Sequence, residues 1–279
     1  ENVKAFLKKS QKKSQKKLKE LKIVGLFMEN VDIKRMVISE IARLRNLTSL
    51  DIAGNWIGPD GAEAIATLRN LTSLDISDNW IGHTGAGAIA NLTKLTSLNI
   101  SDNKIETHMD EISYFEEETR PDEILSNLVK LKSLKNLTSL DISKNGIRVC
   151  GEVGMRVFGI VKGDDDNLKK LTSLDISRNE IGPDCAKDIA NLSNLTSLDI
   201  SRNMIGPEGT IAIVGKSHES GLKNLTSLDI SRNRIRDEGA IAIANAIKFC
   251  NLPNLTSLNI DFNTEIGDEG AIAIANAIE

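Results

Sequence analysis

The sequence predicts a curved α/β solenoid, in which short parallel strands form a concave sheet and helical segments cover its convex side. Three observations carry this prediction. An eleven-residue phrase, first met as Leu47-Thr-Ser-Leu50-Asp-Ile52-Ala-Gly-Asn55-Trp-Ile57, returns almost unchanged from Leu71, Leu95, Leu137, Leu171, Leu195, Leu225 and Leu255. Within each copy apolar and polar residues alternate, the period-two pattern of a strand with one buried face. The stretch that follows most copies is rich in Gly, Ala and Ile at helical spacing. Such a unit cannot bury its apolar side alone and must stack on its neighbours.

Residues 1–17 are a Lys-rich leader or capping helix. Residues 1–20 carry eight lysines against Glu1 and Glu20, whereas the whole chain has a net charge of −4, so a basic leader precedes an acidic body. The leader has no apolar stripe and is a poor match to a membrane-lying helix. The repeat domain spans 18–279 and opens with a degenerate copy, Leu18-Lys-Glu-Leu21-Lys-Ile23, in which Leu26 takes the Asn place. Terminal repeats are expected to depart from the pattern because they cap the stack.

In each clear copy the inward residues, such as Leu50 and Ile52, alternate with Ser49 and Asp51. The Asn that follows (Asn55, Asn79, Asn103, Asn145, Asn179, Asn203, Asn233, Asn263) ends the strand. Its amide can bond the backbone of its own turn and of the adjacent one, which predicts a buried ladder. In the first helix, Pro59 and Asp60 suit the start. Ala62, Ile65, Ala66 and Leu68 fall on one face and let the helix lie close to the sheet.

The pattern L-x-x-L-x-L-x-x-N-x-L resembles the leucine-rich repeat, with Ile in two of the Leu places. The IGxxGAxAIA half, as in Ile81-Gly-His-Thr-Gly-Ala and Ile266-Gly-Asp-Glu-Gly-Ala, is most similar to the ribonuclease-inhibitor-like and bacterial GALA-type classes. The resemblance implies a right-handed solenoid that binds a protein partner without enzymatic activity. The units are shorter than the animal inhibitor's and nearly identical, which favours recent duplication in a bacterial or similarly repeat-expanding source. By analogy the chain would be a secreted or surface factor that engages host protein, a virulence-factor candidate.

Two units break the rhythm. The first holds an insert at about 106–130, with eight acids between Glu106 and Glu123 and with Tyr114 and Phe115. The second carries Gly163-Asp-Asp-Asp-Asn167. Insertions in solenoids map to one face, often the binding face, and the acidic insert is either a partner-binding arm or a solvated loop.

Stacking places equivalent residues in columns about 4.8 Å apart. One column is Asp51, Asp75, Asn99, Asp141, Asp175, Asp199, Asp229 and Asn259. Like charges in adjacent strands repel, so this row is either a groove for a basic partner or an Asp copied by duplication. The column before the Asn runs Gly54, Asp78, Asp102, Lys144, Arg178, Arg202, Arg232, Phe262, changing sign midway. Its arginines either neutralise the Asp row or contribute to recognition. The column after the Asn begins with Trp56 and Trp80, the chain's two tryptophans, either a contact hot spot or a packing patch. The candidate protein-binding residues are therefore the two tryptophans, the eight Asp and three Arg residues of these columns, and Tyr114 and Phe115.

No Ser-His-Asp, Cys-His, metal-ligand or Gly-rich phosphate constellation occurs, so neither catalysis, nor a cofactor, nor a metal is expected. Cys150, Cys185 and Cys250 have no framework spacing and read as reduced thiols, consistent with a cytoplasmic protein or one secreted without disulfides. The Asn-Leu-Thr triplets at Asn46, Asn70, Asn91, Asn136, Asn194, Asn224 and Asn254, with Asn191-Leu-Ser, spell the glycosylation acceptor only because the repeat does. No basic stripe suggests nucleic acid, and no run reaches the ~18 apolar residues of a membrane span. A start at Glu1 rather than Met raises the expectation of a removed upstream segment. The last repeat ends at Ala275–Glu279 with core positions Leu258 and Ile260 open, so a homodimer through that end, or wider self-assembly, is the alternative reading.

Overall fold

Leucine at the centre of a Ser-Leu-Asp triplet turns inward while its neighbours face out, and every copy of the phrase forms a three-residue strand around it. The computed structural model describes residues 18–26, 30–105, 126–147, 168–215 and 221–278. The leader, the 106–125 part of the insert with Tyr114 and Phe115, and the Asp164–Asp166 run lie outside the described residues. The chain divides into two compact units, Glu1–Leu137 and Thr138–Glu279.

The first unit contains strands β1 (Glu20–Lys22), β2 (Ser49–Asp51), β3 (Ser73–Asp75) and β4 (Ser97–Asn99). They pair in parallel, with Leu21 beside Leu50, Leu50 beside Leu74 and Leu74 beside Leu98. The departure in the first copy therefore leaves the register intact. Helices α1 (Val31–Ala42), α2 (Gly58–Ile65) and α3 (Gly82–Ile89) follow the first three strands. The start of α1 is capped by Asn30, whose Oδ1 accepts from Ile33 N at 3.0 Å. The four residues assigned to the inner face after β2, Ala62, Ile65, Ala66 and Leu68, are all buried. Glycine lets consecutive helices come close: a Cβ at Gly85 would lie 2.6 Å from Ile81 Cβ and 3.0 Å from Ala62 Cβ.

The second unit contains β5 (Ser139–Asp141), β6 (Ser173–Asp175), β7 (Ser197–Asp199), β8 (Ser227–Asp229) and β9 (Ser257–Asn259), again parallel and aligned Leu to Leu. Its helices are α4 (Pro183–Ile189), α5 (Gly206–Val214), α6 (Arg236–Lys248) and α7 (Asp268–Ile278). Leu258 and Ile260 in the last repeat are half-buried, and Ile272 and Ile278 are exposed.

Between strand and helix runs the asparagine ladder. Asn79 Nδ2 donates to Ile52 O at 2.8 Å, Ile76 O at 3.0 Å and Ser77 O at 2.9 Å. Its Oδ1 accepts from the backbone N–H of Asn55 at 3.0 Å and of Ile57 at 3.3 Å. The same geometry links Asn145 N to Asn179 Oδ1 at 3.0 Å and Asn233 N to Asn263 Oδ1 at 2.7 Å in the second unit. An amide with donors and an acceptor thus satisfies backbone groups of two adjacent turns that are shut away from water.

Replacing Asn79 by Ala strips partners from buried groups in two repeats at once. The expected loss is about 3 kcal/mol or more in urea unfolding followed by circular dichroism. Ser73→Ala, on the outward side of the same unit, should change stability by less than about 0.5 kcal/mol.

Candidate functional site

The ladder asparagine points its side chain inward, and in the first unit the residues on either side of it take the left-handed backbone region. In the first unit Gly54, Asp78 and Asp102 precede it with φ of 66°, 51° and 55°, and Trp56, Trp80 and Lys104 follow it with φ of 53°, 56° and 51°. Glycine and aspartate tolerate this region, but a tryptophan does so at a cost of about 1 kcal/mol or more. Both indoles are nevertheless exposed, Trp56 by 36% and Trp80 by 52%. Their ring centroids are 6.0 Å apart, tilted by 35°, and Lys104 Nζ lies 3.9 Å from the Trp80 ring centroid. Lys34 from α1 donates to Trp56 O at 2.7 Å. The result is an indole–indole–ammonium stack across three consecutive repeats, each contact contributing about 0.5–1 kcal/mol.

The aspartate row has a structural task of its own. Each carboxylate closes the turn after its own strand: Oδ1 of Asp75, Asp141, Asp175, Asp199 and Asp229 accepts from the backbone N–H two residues on at 2.9–3.0 Å, and Asp51 does so at 3.3 Å. Asn99 and Asn259 make the same bond at 3.0 Å, so the amide serves this role as well as the acid. At Asp51, Asp75 and Asp229 the second carboxylate oxygen also has a partner. Lys22 Nζ is 2.6 Å from Asp51 Oδ2, Asn99 Nδ2 donates to Asp75 Oδ2 at 3.2 Å, and Asn259 Nδ2 donates to Asp229 Oδ2 at 2.8 Å. Burial pushes the carboxyls of Asp175 and Asp199 up, against their turn hydrogen bonds, and the flanking aspartates of the row push them further.

The arginine column does not neutralise this row. Arg178, Arg202 and Arg232 occupy left-handed positions with φ of 54°, 55° and 56°, are exposed, and form no ion pair among the described residues. Arg178 holds the Arg202 guanidinium below its usual range, with burial next and Arg232 adding to it. The Arg232 guanidinium instead covers the Phe262 ring, its Cζ 3.9 Å from the centroid.

With strand, asparagine ladder and helix in place, a family assignment can be made. One family model, described as leucine rich repeat, matches residues 43–105, and a second of the same description matches 133–149, 167–190, 191–214, 221–244 and 251–275. Together they cover more than half of the chain. It is a leucine-rich repeat protein. The matches are to the repeat itself and not to the ribonuclease-inhibitor-like or GALA-type class. No curated protein matches the chain.

Three solved leucine-rich structures are similar in outline. An internalin, InlF, from Listeria monocytogenes is 20% identical with a TM-score of 0.38, over 98% of this chain and 91% of that one. The ectodomain of the Arabidopsis thaliana receptor kinase GASSHO1/SCHENGEN3, solved with CASPARIAN STRIP INTEGRITY FACTOR 2, is 16% identical with a TM-score of 0.43. PEPR1, solved with AtPEP1, is 20% identical with a TM-score of 0.49. The last two matches each cover 80% of this chain but only 25% and 26% of the respective structure.

The remaining positions of the leucine-rich repeat are scaffold. The acceptor-like asparagines use their amides between repeats: Asn70 Nδ2 donates to Arg45 O at 2.9 Å, Asn136 Nδ2 to Thr93 O at 3.1 Å, and Asn224 Nδ2 to Ser193 O at 2.8 Å. Cys185 is buried and Cys250 exposed. Among the described residues no group of three His, Cys, Asp or Glu could hold a metal. Asp188 on α4 is raised to about 6, mainly by burial and further by Asp184, with Lys187 opposing. Its Oδ2 has no hydrogen-bond partner among the described residues. Column reading overlooked Lys104, although its place directly after Asn103 continues the Trp56–Trp80 series. It also missed a cleft of about 370 Å³ between α1 and α2, lined by Val31, Lys34, Ile38, Ile57, Pro59 and Ala64, which no local signal announces.

The raised aspartates give a pH dependence of defined sign. Because their folded-state values lie above the unfolded value near 3.8, ionisation penalises the folded protein, and stability from this source falls as pH rises out of the acid range. Asp199→Asn keeps the turn bond and removes the charge. It should raise the thermal midpoint by about 1–2 °C at pH 7, matching a cross-strand repulsion of about 0.5 kcal/mol, with the gain fading as the pH is lowered towards 4.

Proposed function

We propose that this chain is a non-enzymatic scaffold that binds a protein partner, with the Trp56–Trp80 rim of the first unit as its principal contact. The observation that carries the reading is the placement of the two tryptophans. They stand exposed in a backbone region that disfavours them, within a repeat whose other residues serve the fold. Large rigid aromatics lose little side-chain entropy on binding and dominate contact energetics. Asp78 and Asp102 beside them, and Lys104 over Trp80, supply a charged border of the kind that surrounds such anchors. The family supports the same reading at a coarser level, since stacked repeats serve mainly to present an extended surface. The near-identity of the repeats favours a bacterial or similarly repeat-expanding source; a host protein as the partner rests on analogy with resembling families alone.

The two tryptophans are the chain's full complement, so their emission reports on this rim alone. Binding of the partner should shift their fluorescence to shorter wavelength. Trp56→Ala with Trp80→Ala should weaken the affinity by at least about a hundredfold while moving the thermal midpoint by no more than about 2 °C. Unchanged emission and affinity would remove the rim from the interface.

A further inference from the structure

In the second unit the position before the ladder asparagine is held by Lys144, Arg178, Arg202 and Arg232, all at φ between 54° and 56°. In the first unit the same position carries Gly54, Asp78 and Asp102, residues suited to that backbone. Long basic side chains have no such preference, so local conformation does not account for them. Nor does pairing, because the three arginines make no ion pair among the described residues while the adjacent aspartates are engaged by their own turns. Each backbone is pinned to the next repeat: Arg178 N donates to Ser201 O at 2.9 Å, Arg202 N to Ser231 O at 2.9 Å and Arg232 N to Asp261 O at 3.0 Å. The guanidinium-bearing positions are therefore spaced by one strand interval, about 4.8 Å. Phe262, 65% exposed beneath Arg232, ends the column with an apolar surface.

We infer that the Arg178–Arg202–Arg232 column, with Phe262 at its end, binds an extended acidic peptide segment of a protein partner. Two strand intervals, about 9.6 Å, equal roughly three residues of extended peptide at 3.3 Å each. Carboxylates on one edge of such a peptide fall within reach of the flexible arginine arms, and the planar guanidinium fork takes a carboxylate bidentately. The parallel aspartate row, three positions earlier in each repeat, selects against a ligand that is uniformly anionic around its axis. It suits a peptide whose other edge offers amide or ammonium donors. A nucleic acid presents phosphates along both edges and fits this pair of opposed strips less well.

This inference depends on the scaffold reading but concerns a different surface from the tryptophan rim. The probe is a fluorescein-labelled peptide of about twelve residues with alternating Glu and Ser, compared with its Gln counterpart by fluorescence anisotropy. The Glu peptide should bind, the Gln peptide should bind at least about tenfold more weakly, and added salt should weaken the Glu complex. Replacing Arg178, Arg202 and Arg232 by Gln should cost at least about tenfold, Arg202→Gln alone about threefold, and the triple Lys variant less than the triple Gln variant. Equal binding of the two peptides, full affinity in the folded triple Gln variant, or tighter binding of a dT oligonucleotide of equal length would overturn the inference. The Trp56→Ala, Trp80→Ala protein should bind the Glu peptide unchanged. Failure at one surface is thereby separated from failure at the other.

Discussion

The buried asparagine is the constraint on which the rest of each repeat depends. Its side chain occupies the corner where strand becomes loop and bonds the backbone of two turns, and so it dictates the path of the chain there. With that amide inside, the residue before it takes left-handed backbone in each clear repeat, and the residue after it does so in most of them. The unit thus keeps its apolar residues and its amide for itself and leaves those two flanking places to whatever side chain the surface requires. The tryptophan stack and the arginine column are both products of this one corner.

Much of the fold was legible because the forces that set it are local and repeated. Alternation around Leu50 and Leu74 reads as strand, the helical spacing of Ala62 and Ile65 reads as a buried face, and an Asn at a strand end has few other uses. The candidate site was legible only in part. That Trp56 and Trp80 would be neighbours followed from the period, but their backbone strain did not, since among the column residues only Gly54 and Gly146 hint at a positive φ. The role of the aspartates was hidden for a different reason. The letter Asp does not reveal that the carboxylate caps its own turn; only the geometry of the i+2 amide does. Likewise, opposite charges three residues apart suggest pairing, yet at this corner the aspartates turn to their own loops and the arginines crowd one another.

The two surfaces differ in physical character. One is aromatic with a single ammonium over it and depends on shape and desolvation; the other is cationic and depends on charge. The first lies in the unit with the acidic flank positions and the second in the unit with the basic ones. Near-identical repeats can therefore carry surfaces of different character through a handful of substitutions.

The strained corner also bears on how such a chain evolves. In a stack whose stability grows with each added interface, a duplication brings in another buried ladder bond and another layer of leucine and isoleucine. That adds a reserve of free energy remote from any surface residue. The reserve lets a flank position move from glycine or aspartate to tryptophan or arginine, at about 1 kcal/mol each, without bringing the whole array to its threshold for folding. The monotonous copies thereby supply the tolerance that the unusual residues require.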